Sequence, residues 1–180
     1  MTADELRALT AQLAAAMRER WGRDLPLDEL VSDRWERAQS LGFGEGASIY
    51  ASSYVYGDVV VGRNTWIGPF TLLDGTGGLT IGENCSISAG VQIYTHDSVN
   101  WALTGGTAQY EQAPVRIGDH CYIGPQTVIS RGVSIGDRCL VGACSLVNHT
   151  LPEGSIAFGA PARVRGRVDV DGPNVELRFG

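Results

Sequence analysis

The chain has 180 residues, 43% hydrophobic and 19% charged, enough apolar material for one buried core. A net charge of -6 with no basic run argues against a general nucleic-acid surface. No apolar stretch of spanning length and no leader pattern is present, so membrane insertion and export are not expected and the chain is read as cytoplasmic.

Leu6, Leu9, Leu13, Met17 and Trp21 fall at three- and four-residue spacing, with Asp4 and Glu5 where a helix start favours acidic groups, so an amphipathic helix is predicted. A second helix is predicted from 28 to about 41, stopped by Gly42, with Leu30, Trp35 and Ala38 on its apolar side. Residues 1–45 then read as a helical cap on the end of the segment that begins at residue 46. A capping or subunit-contact role without chemistry and a part in substrate binding both stay open for it.

From residue 46 a six-residue rhythm takes over, in which an aliphatic residue precedes glycine or another small residue. In the frame 81, 87, 93 and again 117, 123, 129, 135, 141, 147, every position is Ile or Val. The fifth residue of these hexads is usually small: Cys85, Val91, Cys121, Thr127, Val133, Cys139, Ser145. Ile49, Val55, Val61, Ile67 and Leu73 carry the same pattern upstream, shifted by two residues in the Gly-rich stretch 75–79. Each hexad reads as one short flat strand ending in a turn, so three make a triangular coil of about eighteen residues, and stacked coils bury one apolar column. The glycine after each aliphatic is expected where the chain turns sharply or takes positive φ. The fold class is therefore all-β, a parallel β-helix of about five to six coils, whose hand periodicity does not determine.

Cys85, Cys121 and Cys139 share the small position and should stack as core-facing fillers rather than bind metal, because no C-x-x-C spacing occurs. The frame at Ile93 resumes only at Ile117. Residues 97–114 are thus a loop thrown out of one coil edge, carrying Trp101, Gly105-Gly106, Tyr110 and Glu111, with His96 at its base. Residues 167–180 alternate about Asp171-Gly172 and read as a terminal hairpin or tail, with Pro173 weighing against a tight turn.

The runs Ile93-Tyr94-Thr95-His96-Asp97, Pro114 through Gly124, Gly142-Ala143 and Gly159-Ala160-Pro161-Ala162-Arg163-Val164 resemble the hexapeptide-repeat acyltransferases, specifically the sugar O-acetyltransferases related to maltose and galactoside acetyltransferase. The resemblance spans 48–166, so 46–166 is taken as the acyltransferase domain. It implies a left-handed β-helix, a homotrimer with the site between subunits, and acetyl transfer from acetyl-CoA to a hydroxyl of a sugar or sugar-like acceptor, with no metal. His96 matches the family's catalytic histidine, a side chain suited to general base work near neutrality. Asp97 either orients that imidazole or bonds its own backbone.

For the acyl donor, the resemblance assigns a backbone contact to Ala143, next to Gly142, and a phosphate contact to Arg163. His149 stands where a lysine is common, Arg165 lies one residue short of a second family arginine, and Pro125 removes a backbone N–H. On the acceptor side, Asp74 aligns with a sugar-binding aspartate and Tyr122 with a flanking aromatic, which reads equally as a coil-surface residue. Trp101 and Tyr110 either stack on a sugar ring or pin the loop to a neighbouring subunit. The asparagine expected around 67–69 is missing, so galactose and maltose are not supported as acceptors. An N-acetyltransferase acting on a nucleotide-linked amino sugar is the alternative. A three-histidine zinc enzyme on His96, His120 and His149 is disfavoured, because the paired-ligand spacing of such solenoid enzymes fails at Pro125.

Overall fold

Every residue of the later aliphatic frame, from Ile81 to Val147, lies buried with at most 3% of its surface exposed, in a computed structural model that describes residues 1–180. The strands pair in parallel so that like positions stack into three columns. One runs Ile49, Ile67, Ile87, Ile123, Val141, Ala157. The second runs Val55, Leu73, Ile93, Ile129, Val147, and the third Val61, Ile81, Ile117, Ile135, Leu151. These are the three faces of a parallel β-helix of about six turns. The two-residue frame shift is absorbed where Gly57 pairs Gly75 and the next pair is Val59 with Leu79.

The small positions complete the column. Cys85, Cys121 and Cys139 are buried, and each thiol donates to a carbonyl one coil on, at 3.1 Å from Gly118, Gly136 and Pro152. Hydrogen bonding to Cys139 and Cys85, with burial, pushes the Cys121 thiol well up, so it stays protonated. Because Ile123 is fully buried between Ile87 and Val141, Ile123→Ala is expected to cost about 2–5 kcal/mol. A fall in the urea midpoint at unchanged slope would measure it; a loss below about 1 kcal/mol would mean that the column closes over the gap.

The glycines serve a different purpose from the one expected. Gly82, Gly118, Gly124 and Gly136 do not take positive φ. A Cβ on Gly118 would lie 2.2 Å from Asp137 Oδ1 and 2.8 Å from Asp137 N, so glycine is required by the close approach of the next coil. The left-handed residue comes two positions later, at Asn64, Asn84, His120 and Arg138, with φ between 54° and 59°. The aspartates that crowd these glycines also bond the neighbouring turn: Asp119 Oδ1 accepts from Glu83 N at 2.8 Å and Asp137 Oδ1 from Asp119 N at 2.9 Å.

Helix α1 (Ala3–Trp21) starts with a capping box of Thr2 and Glu5 and ends at Gly22 with φ 63°, but buries none of its residues. The second predicted helix is two helices, α2 (Leu27–Val31) and α3 (Arg34–Ser40). Asp33 breaks it, because its carboxylate accepts from Trp35 N at 2.9 Å and Glu36 N at 3.0 Å, and an N-cap residue has to be non-helical. Trp35 stays exposed. The buried residue of α2 is Glu29, whose carboxylate accepts from Ala51 N, Ser52 N and the Ser52 hydroxyl, while Ala38 of α3 joins Phe43 and Ala47 at the end of the core.

Parallel pairing ends at Ala157, short of 166. The strand Ser155–Gly159 turns directly into an antiparallel hairpin, Ala162–Asp171 with Asn174–Phe179, which therefore begins before 167. Pro173 is tolerated because it sits beside Gly172 (φ 56°) in the two-residue loop, outside the ladder that needs its N–H. No helix is long and apolar enough to cross a membrane.

Candidate active site

At the corner after the second face the chain leaves the coil. His96–Asp97 pairs antiparallel with Glu111–Gln112, so the loop closes on itself as a short ribbon carrying helix α4 (Val99–Leu103). Arg131, one coil on, clamps both ends of the ribbon by bonding the Asp97 and Glu111 carboxylates. Asp97 also accepts from Val99 N at 3.1 Å, and the Arg131 guanidinium holds its carboxyl below the usual range. Asp97 is thus a loop-anchoring residue bonded to its own backbone and does not orient His96.

Asp74 does that instead. Its Oδ2 lies 2.7 Å from His96 Nδ1, while Thr95 N (2.8 Å), Thr76 N (3.0 Å) and the Thr76 hydroxyl (2.5 Å) also donate to the carboxylate. Burial pushes this carboxyl up, but the hydrogen bonds from Thr76, Thr95 and His96 outweigh it and leave Asp74 well below the carboxylate range, hence ionised. An ionised acceptor at Nδ1 holds the proton there in the neutral ring and leaves Nε2 with its lone pair. The imidazole is about one-third exposed (35%), whereas Asp74 is 1% exposed. Asp74, expected as a sugar contact, therefore lies beneath the histidine, almost wholly covered.

Tyr94, His96, Ser130 and Arg131 line a cleft of about 380 Å³. The Tyr110 ring stands 6.3 Å from the imidazole and meets Trp101 edge-on at 5.7 Å, so both aromatics belong to the wall beside His96 and both remain partly exposed.

The remaining expected residues fall into separate places. Gly142, Ala143 and Arg163 come together at the corner between the first and second faces: Arg163 pairs with Phe158, whose Cβ lies against Gly142. Ala143 is exposed and its N–H has no intramolecular acceptor, while Arg163 and Arg165 stand exposed outside any ion pair. An anionic chain with a hydrogen-bond acceptor fits such a surface. His149 lies elsewhere, at the His96 corner: Ser130 N bonds Val147 O, which stacks 149 one coil beyond Arg131, and its Nδ1 is 3.2 Å from Asn148 Oδ1. Tyr122 is on the first face, lining an apolar groove with Leu140, Val168 and Val170 and far in register from the loop. His120, at a third corner, joins that groove, and no three His, Cys, Asp or Glu residues are placed to share a metal ion.

The family described as bacterial transferase hexapeptide (six repeats) matches residues 114–149, and that described as hexapeptide repeat of succinyl-transferase matches 58–95. Nodulation protein L of Rhizobium meliloti (strain 1021) is 44% identical over 88 residues, 49% of this chain and 48% of that protein. Galactoside O-acetyltransferase of Escherichia coli (strain K12) is 28% identical, over 58% of this chain and 61% of its own. The chain spans about half the length of the curated relatives it matches. Among solved structures, a hexapeptide-repeat-containing acetyltransferase from Vibrio cholerae O1 biovar eltor, complexed with acetyl coenzyme A, has a TM-score of 0.60 and 26% identity, covering 89% of this chain and 86% of that one. An N-acyltransferase from Bacillus cereus, in complex with dTDP and 3-hydroxybutyryl-CoA, has a TM-score of 0.60 and 25% identity, over 72% and 85%. The stacked hexads, the coil register and these likenesses together support a hexapeptide-repeat acetyltransferase.

Proposed function

We propose that this protein transfers an acetyl group from acetyl-CoA to a hydroxyl of a sugar or sugar-like acceptor, with His96 as the general base. The observation that carries this reading is the Asp74–His96 pair at the root of an extruded loop, beside an open cleft. The ionised carboxylate keeps the proton on Nδ1, so Nε2 takes the acceptor's proton as its oxygen attacks the thioester carbonyl, and the imidazolium, stabilised by Asp74, passes that proton to the CoA sulfur as the C–S bond breaks. Acetyl-CoA supplies the activated acyl carbon; on this chain the exposed Ala143 N–H and Arg163 are the groups that would hold it. His96 and the Gly142–Ala143–Arg163 group stand at opposite edges of the second face. That separation supports a site completed between subunits of a homotrimer, which sedimentation at micromolar concentration would read as a single trimeric species.

The likeness to the galactoside O-acetyltransferase favours a hydroxyl acceptor. The Bacillus cereus N-acyltransferase favours the second reading, an amine on a nucleotide-linked sugar. Release of CoA in the presence of a panel of sugars and nucleotide-linked amino sugars separates the two, and no release with any acceptor would defeat both. Arg163→Ala is expected to weaken CoA by about 1–3 kcal/mol, the worth of one charge-assisted hydrogen bond. A smaller loss with dephospho-CoA would assign Arg163 to the 3′-phosphate, equal losses to the pyrophosphate, and no loss would remove it from the site.

A further inference from the structure

The N-terminal helices and the first coil enclose a second cavity, of about 190 Å³, remote in sequence from the His96 loop and bordered by Trp21, Trp35 and Tyr50. Arg23 Nη1 and Arg34 Nη1 each donate to the Tyr50 hydroxyl at 3.1 Å. Two guanidinium nitrogens are therefore within about 6 Å of each other, an arrangement like charges oppose. Arg20 reaches the same cavity across the Trp21 ring, 5.0 Å from its centroid, and Arg34 lies 4.1 Å from the centroid of Trp35.

None of Arg20, Arg23 and Arg34 is in an ion pair. The two acidic residues on the lining are engaged elsewhere, Glu29 on Ala51 and Ser52 of the first coil and Asp33 on the first turn of α3. A phenolic oxygen that accepts from two arginines has its own O–H left to donate. Tyr50 O–H and the remaining guanidinium N–H groups are thus donors with no acceptor among them, gathered in a chain whose net charge is -6.

We propose that Arg23, Arg34 and Tyr50 form a binding site for a phosphate-class oxyanion, with Arg20 at its mouth. Guanidinium forks match the oxygens of phosphate, and the tyrosine supplies a third, neutral donor. The anion reaches the site either as free phosphate or as the phosphoryl group of a sugar ester, whose ring would meet the neighbouring tryptophans.

Calorimetric titration of the full-length protein at constant ionic strength tests this, using inorganic phosphate, glucose 1-phosphate and, as the neutral control, glucose. Saturable binding of phosphate, absent with glucose, is the expected result. Binding of both anions identifies the free ion as sufficient, and binding of the ester alone shows that the group arrives on a sugar. Arg23→Gln, at an exposed position outside any helix, should weaken binding about tenfold or more, the loss of one charge-assisted hydrogen bond, and Tyr50→Phe should weaken it without removing charge. His96→Ala should bind phosphate as the parent does, so this test is independent of the transferase reading. Absence of saturable binding with either anion, or equal affinity in Arg23→Gln, would overturn the proposal.

Discussion

Replacing His96 with alanine is expected to lower turnover by roughly a hundred- to ten-thousandfold, the range for loss of a positioned general base. The residue is well placed for a clean measurement. It lies in a two-residue strand at the loop root, its side chain is partly exposed, and the apolar column does not include it. Affinity for CoA and the melting temperature should therefore change little, because Ala143 and Arg163, the groups proposed to hold CoA, occupy another corner. Retention of more than about a tenth of the parent rate would exceed what loss of a general base allows and would assign the catalysis to positioning by the loop.

The second large effect is expected at Asp74, a positioning residue that acts through the histidine. Asp74→Asn keeps the shape but offers the imidazole a neutral amide, which can donate to Nδ1 and so favour the tautomer with its proton on Nε2, where a lone pair is needed. A loss of roughly a hundredfold or more in kcat is expected, with a smaller change in KM. A merely structural role would not separate kcat from KM in this way, and Asp74→Glu should restore part of the rate.

Stability carries a matching signature. The folded Asp74 carboxyl is depressed, so its contribution is present above the unfolded value near about pH 4 and is lost as pH falls through the folded one. Stability of the parent should fall in that acid range, and the asparagine variant should show a flatter dependence. Urea midpoints across the range would measure it, and parallel curves for the two proteins would show that the carboxylate is not coupled to folding.

The column of the β-helix is legible in the chain because it depends on a local repeat: an inward aliphatic every six residues decides which face each side chain takes, and parallel stacking places Ile87, Ile123 and Val141 in one line. The same repeat locates His96, since a loop shows as a break in the frame. The role of the glycines is not legible in this way, because positive φ is a property of one residue whereas the crowding that would leave a Cβ on Gly118 only 2.2 Å from Asp137 Oδ1 comes from the neighbouring coil. The split of the second helix is open to reading in Asp33, a capping residue inside an apparently continuous pattern.

The partnership of His96 with Asp74 has no such local signal. The two are 22 residues apart, and the extra residues at 75–79 displace them from simple coil arithmetic, so only the assembled corner shows which carboxylate lies beneath the imidazole. Arg131 is silent in the sequence for a related reason: its partners Asp97 and Glu111 approach each other only when the loop folds into a ribbon. Periodicity specifies the backbone and which face each apolar residue takes. Polar partners are chosen by where insertions let side chains reach, and that is a property of the three-dimensional stack alone.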